Sequence, residues 1–207
     1  GTMCPSYRAT KNEKDTTRAR ANALRDFLTN SDEANKFNHK ELKEVFDLCL
    51  SCKACASECP SNVDIATMKA EFLYQYQETN GYSFRNSLFA NNVKYNKIGS
   101  IAPAITNLVL NTSFTKSVMG IAQERSVPKL ANTTFSNWFA KEHIIKKSKK
   151  VYLFNDEFTN FYDVEIGKDA VFVLEKLGYE VIVLKHEESG RSFFSKGFLK
   201  EAKKVCD

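Results

Sequence analysis

The run Cys49-Leu50-Ser51-Cys52-Lys53-Ala54-Cys55-Ala56-Ser57-Glu58-Cys59-Pro60 has the spacing C-x2-C-x2-C-x3-C-P. Four thiols this crowded commit the backbone to one tight loop, and the surrounding chain must pack around it. The spacing is that of the bacterial ferredoxin run for a cubane iron–sulfur cluster. Four thiolates must reach four irons at the corners of one cube. Cysteines two residues apart let a loop wrap three corners, and the fourth cysteine of such a run serves another cluster. The remaining ligand must then come from elsewhere, and a second Cys-Pro pair stands at Cys4-Pro5. We read Cys4 as the tail of an earlier run whose first cysteines precede this chain. Cys4, Cys49, Cys52 and Cys55 then complete one [4Fe–4S] site. Cys59 is left for a second cluster completed by residues outside the chain.

Two other uses of these thiols compete. A zinc site favours two C-x2-C pairs across a longer spacer. Disulfides at this spacing would close strained small loops, and no signal peptide marks export. Six cysteines in 207 residues, five of them in cluster-like contexts, fit a reducing, cytoplasmic compartment. The net charge of +5 is a mild excess. Without aromatic–basic repeats or a nucleic-acid motif it does not point to DNA or RNA. The longest apolar stretch, Ile98 to Leu110, contains Pro103 and Asn107 and is too short to span a bilayer.

Along the chain, residues 1–10 read as a loop delivering Cys4. Asp15, Thr16 and Thr17 are N-cap candidates for a helix to Thr29, with Arg18, Arg20 and Arg25 on its solvated face or, in a sharper reading, turned to the cluster. Ser31 and Asp32 can cap a short turn, and Asn38 or His39 a helix running to Cys49. After Pro60, Ile65, Met68, Phe72, Leu73 and Tyr76 form the apolar stripe of a long helix ending at Asn80-Gly81. Helical patterns recur at 84–95, 104–110 and 114–121. Lys146 to Lys150 reads as a basic linker. Val151–Phe154 is then a strand, 155–163 a loop, and Asp163 the cap of a helix with Ile166, Ala170, Leu174 and Leu177 on one face. Gly178 ends that helix, 180–184 is a second strand, and 195–205 a last helix. This order predicts a parallel βαβ unit. Ligands of such units gather at the strands' carboxyl ends, here 155–163 and 186–192, and neither loop holds G-x-G-x-x-G.

Several blocks resemble the C-terminal part of fused FAD-linked oxidases, the D-lactate, glycolate and D-2-hydroxyglutarate dehydrogenase-like proteins. They are residues 3–10 (MCPSYRAT), 17–21 (TRARA), 49–55, Val63-Asp64, 68–72 (MKAEF), 127–130 (VPKL), 134–139 (TFSNWF) and 156–163 (DEFTNFYD). The resemblance implies an α + α/β chain. An α-helical ferredoxin-like domain would occupy 1–145. Part of a CCG domain, like that of heterodisulfide reductases, would occupy 150–207. In the family that domain carries Cys-Cys-Gly after its second strand; here the stretch is Glu188-Ser189-Gly190-Arg191, with both cysteines gone. His186 beside Glu187 and Glu188 reads as part of a solvated loop, and Cys206 as a bystander.

The implied role is electron transfer. A flavin (FAD) in upstream domains of the same polypeptide would oxidise a 2-hydroxy acid, and electrons would reach a quinone or carrier protein. No residue here has the look of an acid–base catalyst, so the isolated chain is not expected to turn over. The implied location is the cytoplasm, peripheral to the membrane. A partner-docking module and a zinc-stabilised interaction domain are the alternatives.

Overall fold

The computed structural model describes residues 4–142 and 147–207. Helices dominate, accompanied by one two-stranded parallel sheet. The helices are α1 (Pro5–Thr10), α2 (Thr17–Asn30), α3 (Lys40–Asp47), α4 (Ala54–Glu58), α5 (Ile65–Asn80), α6 (Phe84–Ala90), α7 (Asn92–Gly99), α8 (Pro103–Leu110), α9 (Ser113–Met119) and α10 (Phe135–Glu142). Strand β1 (Lys149–Tyr152), helices α11 (Glu157–Phe161) and α12 (Val164–Lys176) and strand β2 (Tyr179–Ile182) follow, then α13 (Arg191–Ser195) and α14 (Leu199–Cys206). β1 and β2 pair in parallel, Val151 opposite Val181.

The chain forms two compact units. One joins the described residues up to Ala90 with Gly190–Asp207; the other is Asn91–Ser189. In the first, α2, α3 and α5 share a core of Leu24, Leu42, Phe46, Ile65, Phe72 and Leu73. Phe46 and Phe72 stack with ring centroids 5.3 Å apart. The expected stripe of α5 is therefore the core face, with Met68 and Tyr76 packed at its edge. The Thr16 side chain caps α2 by accepting the Ala19 N–H, and Asp64 caps α5 by accepting that of Thr67. Near the C-terminus α13 and α14 pack on α5 and α6. Gly197 makes this possible. Its φ is +73°, and a Cβ there would lie 2.6 Å from Leu73 Cβ.

The second unit packs Phe135, Val164, Val171 and Val181 around the sheet, with Val93, Leu130 and Phe161 in a neighbouring cluster.

The structure corrects several local expectations. Residues 5–10 are helical rather than a loop, because Pro5 supplies a preset φ at the first helical position. Ser31 and Asp32 start no helical turn; the Ser31 hydroxyl instead accepts the Glu33 N–H and meets His39 Nε2. Helix α11 interrupts the expected loop 155–163, nucleated by the Asp156 carboxylate accepting the Thr159 N–H. Asp163 does occupy the N-cap of α12, but its side chain makes no capping bond. The buried face of α12 is Val164, Gly167 and Val171, while Ile166 and Leu177 point to solvent. Gly167 decides this: a Cβ there would lie 2.6 Å from the Phe135 ring, so the helix meets its neighbour at the residue without a side chain. The last helix is two, broken at Lys196–Phe198. Of the basic stretch, Lys149 and Lys150 open β1, and Lys146 lies outside the described residues.

Candidate metal centre

Cys4, Cys49, Cys52, Cys55 and Cys59 all line one cavity of about 700 Å³ in the first unit. Three pieces of backbone deliver them. Cys4 sits at the N-cap of α1, and Cys49 follows the end of α3. Cys52 lies in the loop, Cys55 in α4, and Cys59 at the C-cap of α4 with extended φ and ψ. Between Cys49 and Cys55 the backbone turns through two non-glycine residues with positive φ, Ser51 at 54° and Lys53 at 62°. Such conformations cost about 1–3 kcal/mol each and persist only where the surroundings dictate them. Here they curl the loop so that consecutive thiols reach one cavity.

Buried charge frames this cavity. Arg20 is only 1% exposed. Its guanidinium donates to Cys4 Sγ at 3.3 Å, to the Asp15 carbonyl at 2.7 Å and, through Nε, to the Val45 carbonyl at 3.0 Å. It also pairs with the equally buried Asp15 carboxylate at 3.5 Å. Asp15 Oδ2 in turn accepts the Thr10 hydroxyl at 2.6 Å. One arginine therefore ties Cys4 to α3 and to the Glu13–Asp15 turn. Of the three arginines of α2, Arg20 is the one that donates to a cysteine thiol. Arg18 lines the cavity edge and pairs with Glu13 in solvent.

The Cys4 thiol is pulled in two directions. Burial pushes its pKa up, but hydrogen bonds with the Ser6 hydroxyl and backbone, Arg20 and the Tyr7 N–H outweigh burial and bring it below the ordinary thiol value. The Cys59 thiol is also lowered, by the backbone N–H groups of Val63 and Ser61. Both cysteines thus sit where a thiolate, the form that binds metal, is favoured.

Lys69 is the site residue that hydrophobic periodicity could not reveal, because a lysine on a helix reads as solvent-facing. It is buried, and its ammonium donates to the Cys49 carbonyl at 2.7 Å and the Asp47 carbonyl at 3.4 Å. It therefore plugs the open C-terminal end of α3, where Cys49 leaves the helix. Burial lowers its pKa to about 8, against the opposing pull of Cys49.

Among the described residues no group of three or more His, Cys, Asp or Glu converges tightly enough for a single metal ion. A lone zinc would need its sulfurs about 2.3 Å from one point. The five thiols instead surround a cavity many times the roughly 30 Å³ share of one water molecule, an arrangement that suits a multi-iron group with a ligand at each corner. Five of the lining residues are cysteines, with Glu58 the one carboxylate, and Arg8, Arg18, Arg20 and Lys53 at the walls would offset the negative charge that such a group and its thiolates carry.

The loops at the carboxyl ends of β1 and β2 meet around a smaller cavity of about 140 Å³, lined by Asn155, Glu157 and 184–188 among others. Buried Glu157 accepts the N–H and hydroxyl of Ser189. His186 stacks on Phe154 at 4.3 Å and stays exposed. Cys206 is exposed on α14 and does not line the cysteine-lined cavity.

Residues 2–64 match the 4Fe-4S dicluster domain. The D-2-hydroxyglutarate dehydrogenase of Escherichia coli is 27% identical in an alignment covering 99% of this chain and 25% of the relative. The chain is related to the D-2-hydroxyglutarate dehydrogenases. That of Haemophilus influenzae is 26% identical over 82% of this chain and 18% of its own. An uncharacterised iron–sulfur protein of Methanococcus maripaludis is 29% identical over 70% of this chain and 25% of its own. The chain thus spans about a quarter of the length of the curated relatives it matches. No solved structure matches it. These likenesses agree with an iron–sulfur region of an FAD-linked oxidase.

Proposed function

We propose that this chain is the electron-transfer segment of an FAD-linked oxidoreductase that oxidises a 2-hydroxy acid. Cys4, Cys49, Cys52 and Cys55 hold one [4Fe–4S] cluster, and Cys59 serves a second, completed by cysteines elsewhere in the full polypeptide. The observation that carries this reading is the convergence of thiols from α1, the 49–55 loop and α4 on one cavity whose charged wall, Arg20, donates to Cys4. The dicluster match supports assigning the fifth cysteine to a second cluster.

When bound, such a cluster exchanges single electrons at a potential set by burial and by hydrogen bonds to sulfur. The chain's own residues set those terms. Arg20 donates to a ligand sulfur, and Lys69 holds the Cys49 backbone in place. The apolar core of α2, α3 and α5 limits solvent on the inner side. Oxidation of a hydroxyl carbon to a 2-oxo acid releases two electrons and two protons. A flavin can accept both electrons and return them one at a time. We place FAD in upstream domains of the same polypeptide and the final acceptor as a quinone or a carrier protein. Residues 1–145 would be the ferredoxin-like module and 150–207 the start of a CCG-type βαβ module. The protein would sit on the cytoplasmic side, peripheral to the membrane; no helix among the described residues is long and apolar enough to cross one.

Anaerobic reconstitution tests the core of this proposal. The loaded protein should carry about four irons and four sulfides per complete cubane, with visible absorption that bleaches on reduction. Cys52→Ser should remove most of that iron. Unchanged iron and spectrum in this variant would reject the ligand assignment.

A further inference from the structure

In the second unit, α8 is built inside out. Its inward side chains are polar: the Thr106 hydroxyl donates to the Gly99 carbonyl at 3.0 Å, and Asn107 brackets Leu130 by donating to its carbonyl and accepting its N–H. Its outward side chains are aliphatic. Ile105, Leu108 and Val109 share one face at i, i+3 and i+4, and Leu108 is 74% exposed. The flanking segments continue the pattern, with Ile98 on α7, Ile101 at 83% and, on α9, Phe114 at 79% and Val118. Neither α8 nor α9 buries a single residue. Scattered exposed apolar residues need no explanation, but this many on successive short helices, two of which pack on each other, mark an interaction surface.

Charge says what covers it. Between residues 91 and 130 the chain carries Lys94, Lys97, Lys116, Arg125 and Lys129 against a single acidic residue, Glu124. All but Lys116 are exposed. Lys97 lines the cavity at the strands' carboxyl ends, but a segment that is basic in net charge and carries an exposed aliphatic and aromatic face still has the composition of an element that lies in an anionic bilayer interface. We infer that α8 and α9, with the end of α7, form a docking surface for an anionic membrane, into which Ile101, Ile105, Leu108 and Phe114 insert. The inference deepens the peripheral placement proposed above and rests on it, whereas the cluster assignment is independent of it.

Co-sedimentation of the full-length, cluster-loaded protein tests it, with vesicles of equal phosphatidylglycerol and phosphatidylcholine and with phosphatidylcholine alone. The anionic vesicles should retain the protein, and added salt should weaken retention. Ile105→Asp with Leu108→Asp should lower the bound fraction about tenfold or more, while iron content stays unchanged because these side chains are on the surface. Lys94→Glu with Arg125→Glu should abolish the preference for anionic vesicles. Binding untouched by either pair would overturn the inference while leaving peripheral attachment standing through another surface. No vesicle binding at all, with α8 already protected from hydrogen exchange in the full-length protein, would overturn it in favour of a covering protein segment. Dissociation of an oligomer by the aspartate pair would overturn it in favour of a second copy.

Discussion

The two units place their charge and their apolar surface differently. Around the cysteines the first unit buries charge: Arg20, Asp15 and Lys69 all lie inside, each tied to backbone or to a thiol's own residue. Beside its sheet the second unit buries Phe135, Val164, Val171 and Val181, and it sends aliphatic side chains outward on α8 and α9. Apolar packing is indifferent to what is bound nearby. A buried ion pair is not, because each charge is costly without its partners. If the thiols hold a metal group, the contrast predicts that the first unit's order depends on it and that the second unit's does not.

The most severe way to test that contrast is to remove the metal. Stripping iron anaerobically with a chelator should loosen residues 45–65 and α1, since binding energy is folding energy for such sites. Hydrogen exchange should rise there and remain unchanged in α12 and β2. Next in size, Arg20→Met leaves Asp15 buried and alone, which costs about 3–5 kcal/mol, and it removes a donor from Cys4. Denaturant unfolding should show the loss in the first unit, and iron should leave faster on dilution. The mirror experiment is Gly167→Ala, which drives a methyl into Phe135. It should cost about 1–3 kcal/mol, appear in the sheet's exchange rates, and leave iron content unchanged. A fall in iron there would break the comparison. Lys69→Met should cost about 1.5–3 kcal/mol, the worth of hydrogen bonds to a charged donor, with iron retained less tightly at Cys49. Smallest of all, Ser51→Gly relieves a left-handed residue and should gain about 1 kcal/mol. Its measurable signature is a modest rise in apo-protein stability with the metal spectrum unaltered.

Legibility followed the same division. The cysteine run, the capping residues Thr16 and Asp64 and the stripe of α5 were readable because spacing alone encodes them. Lys69 was not, the three arginines of α2 could not be told apart, and Asp15 read as a cap rather than as a buried ion-pair partner. Charged residues on amphipathic helices, such as Arg20 and Lys69, read as solvated, and only the fold brings a carbonyl or a carboxylate to meet them. On α12 the pattern of Ile166, Ala170, Leu174 and Leu177 was right for Leu174, which packs on the core, and wrong for Ile166 and Leu177, which point to solvent, since a hydrophobic count gives no weight to glycine. Gly167 is the contact because it is empty. Helix α11 escaped for a related reason: five residues carry too little periodicity to show. The outward face of α8 was read only as an apolar stretch too short to span a bilayer, and which way it points depends on hydrogen bonds at Gly99 and Leu130 that periodicity does not record.

Gly197 has a bearing on how the protein is made. It lets the segment around it press against α5, so the first unit closes only with residues synthesised after the whole of Asn91–Ser189. A ribosome releases chain in order, and domains fold as their parts emerge. The intervening unit is contiguous and can finish while α5 and α6 still wait, with Leu73 and Ala90 uncovered on the side that α13 and α14 will occupy. Maturation then runs against the order of synthesis. Of these two units, the one that begins to emerge earlier is completed later, and during that interval its cysteine loop belongs to an unfinished body that a metal group could still enter.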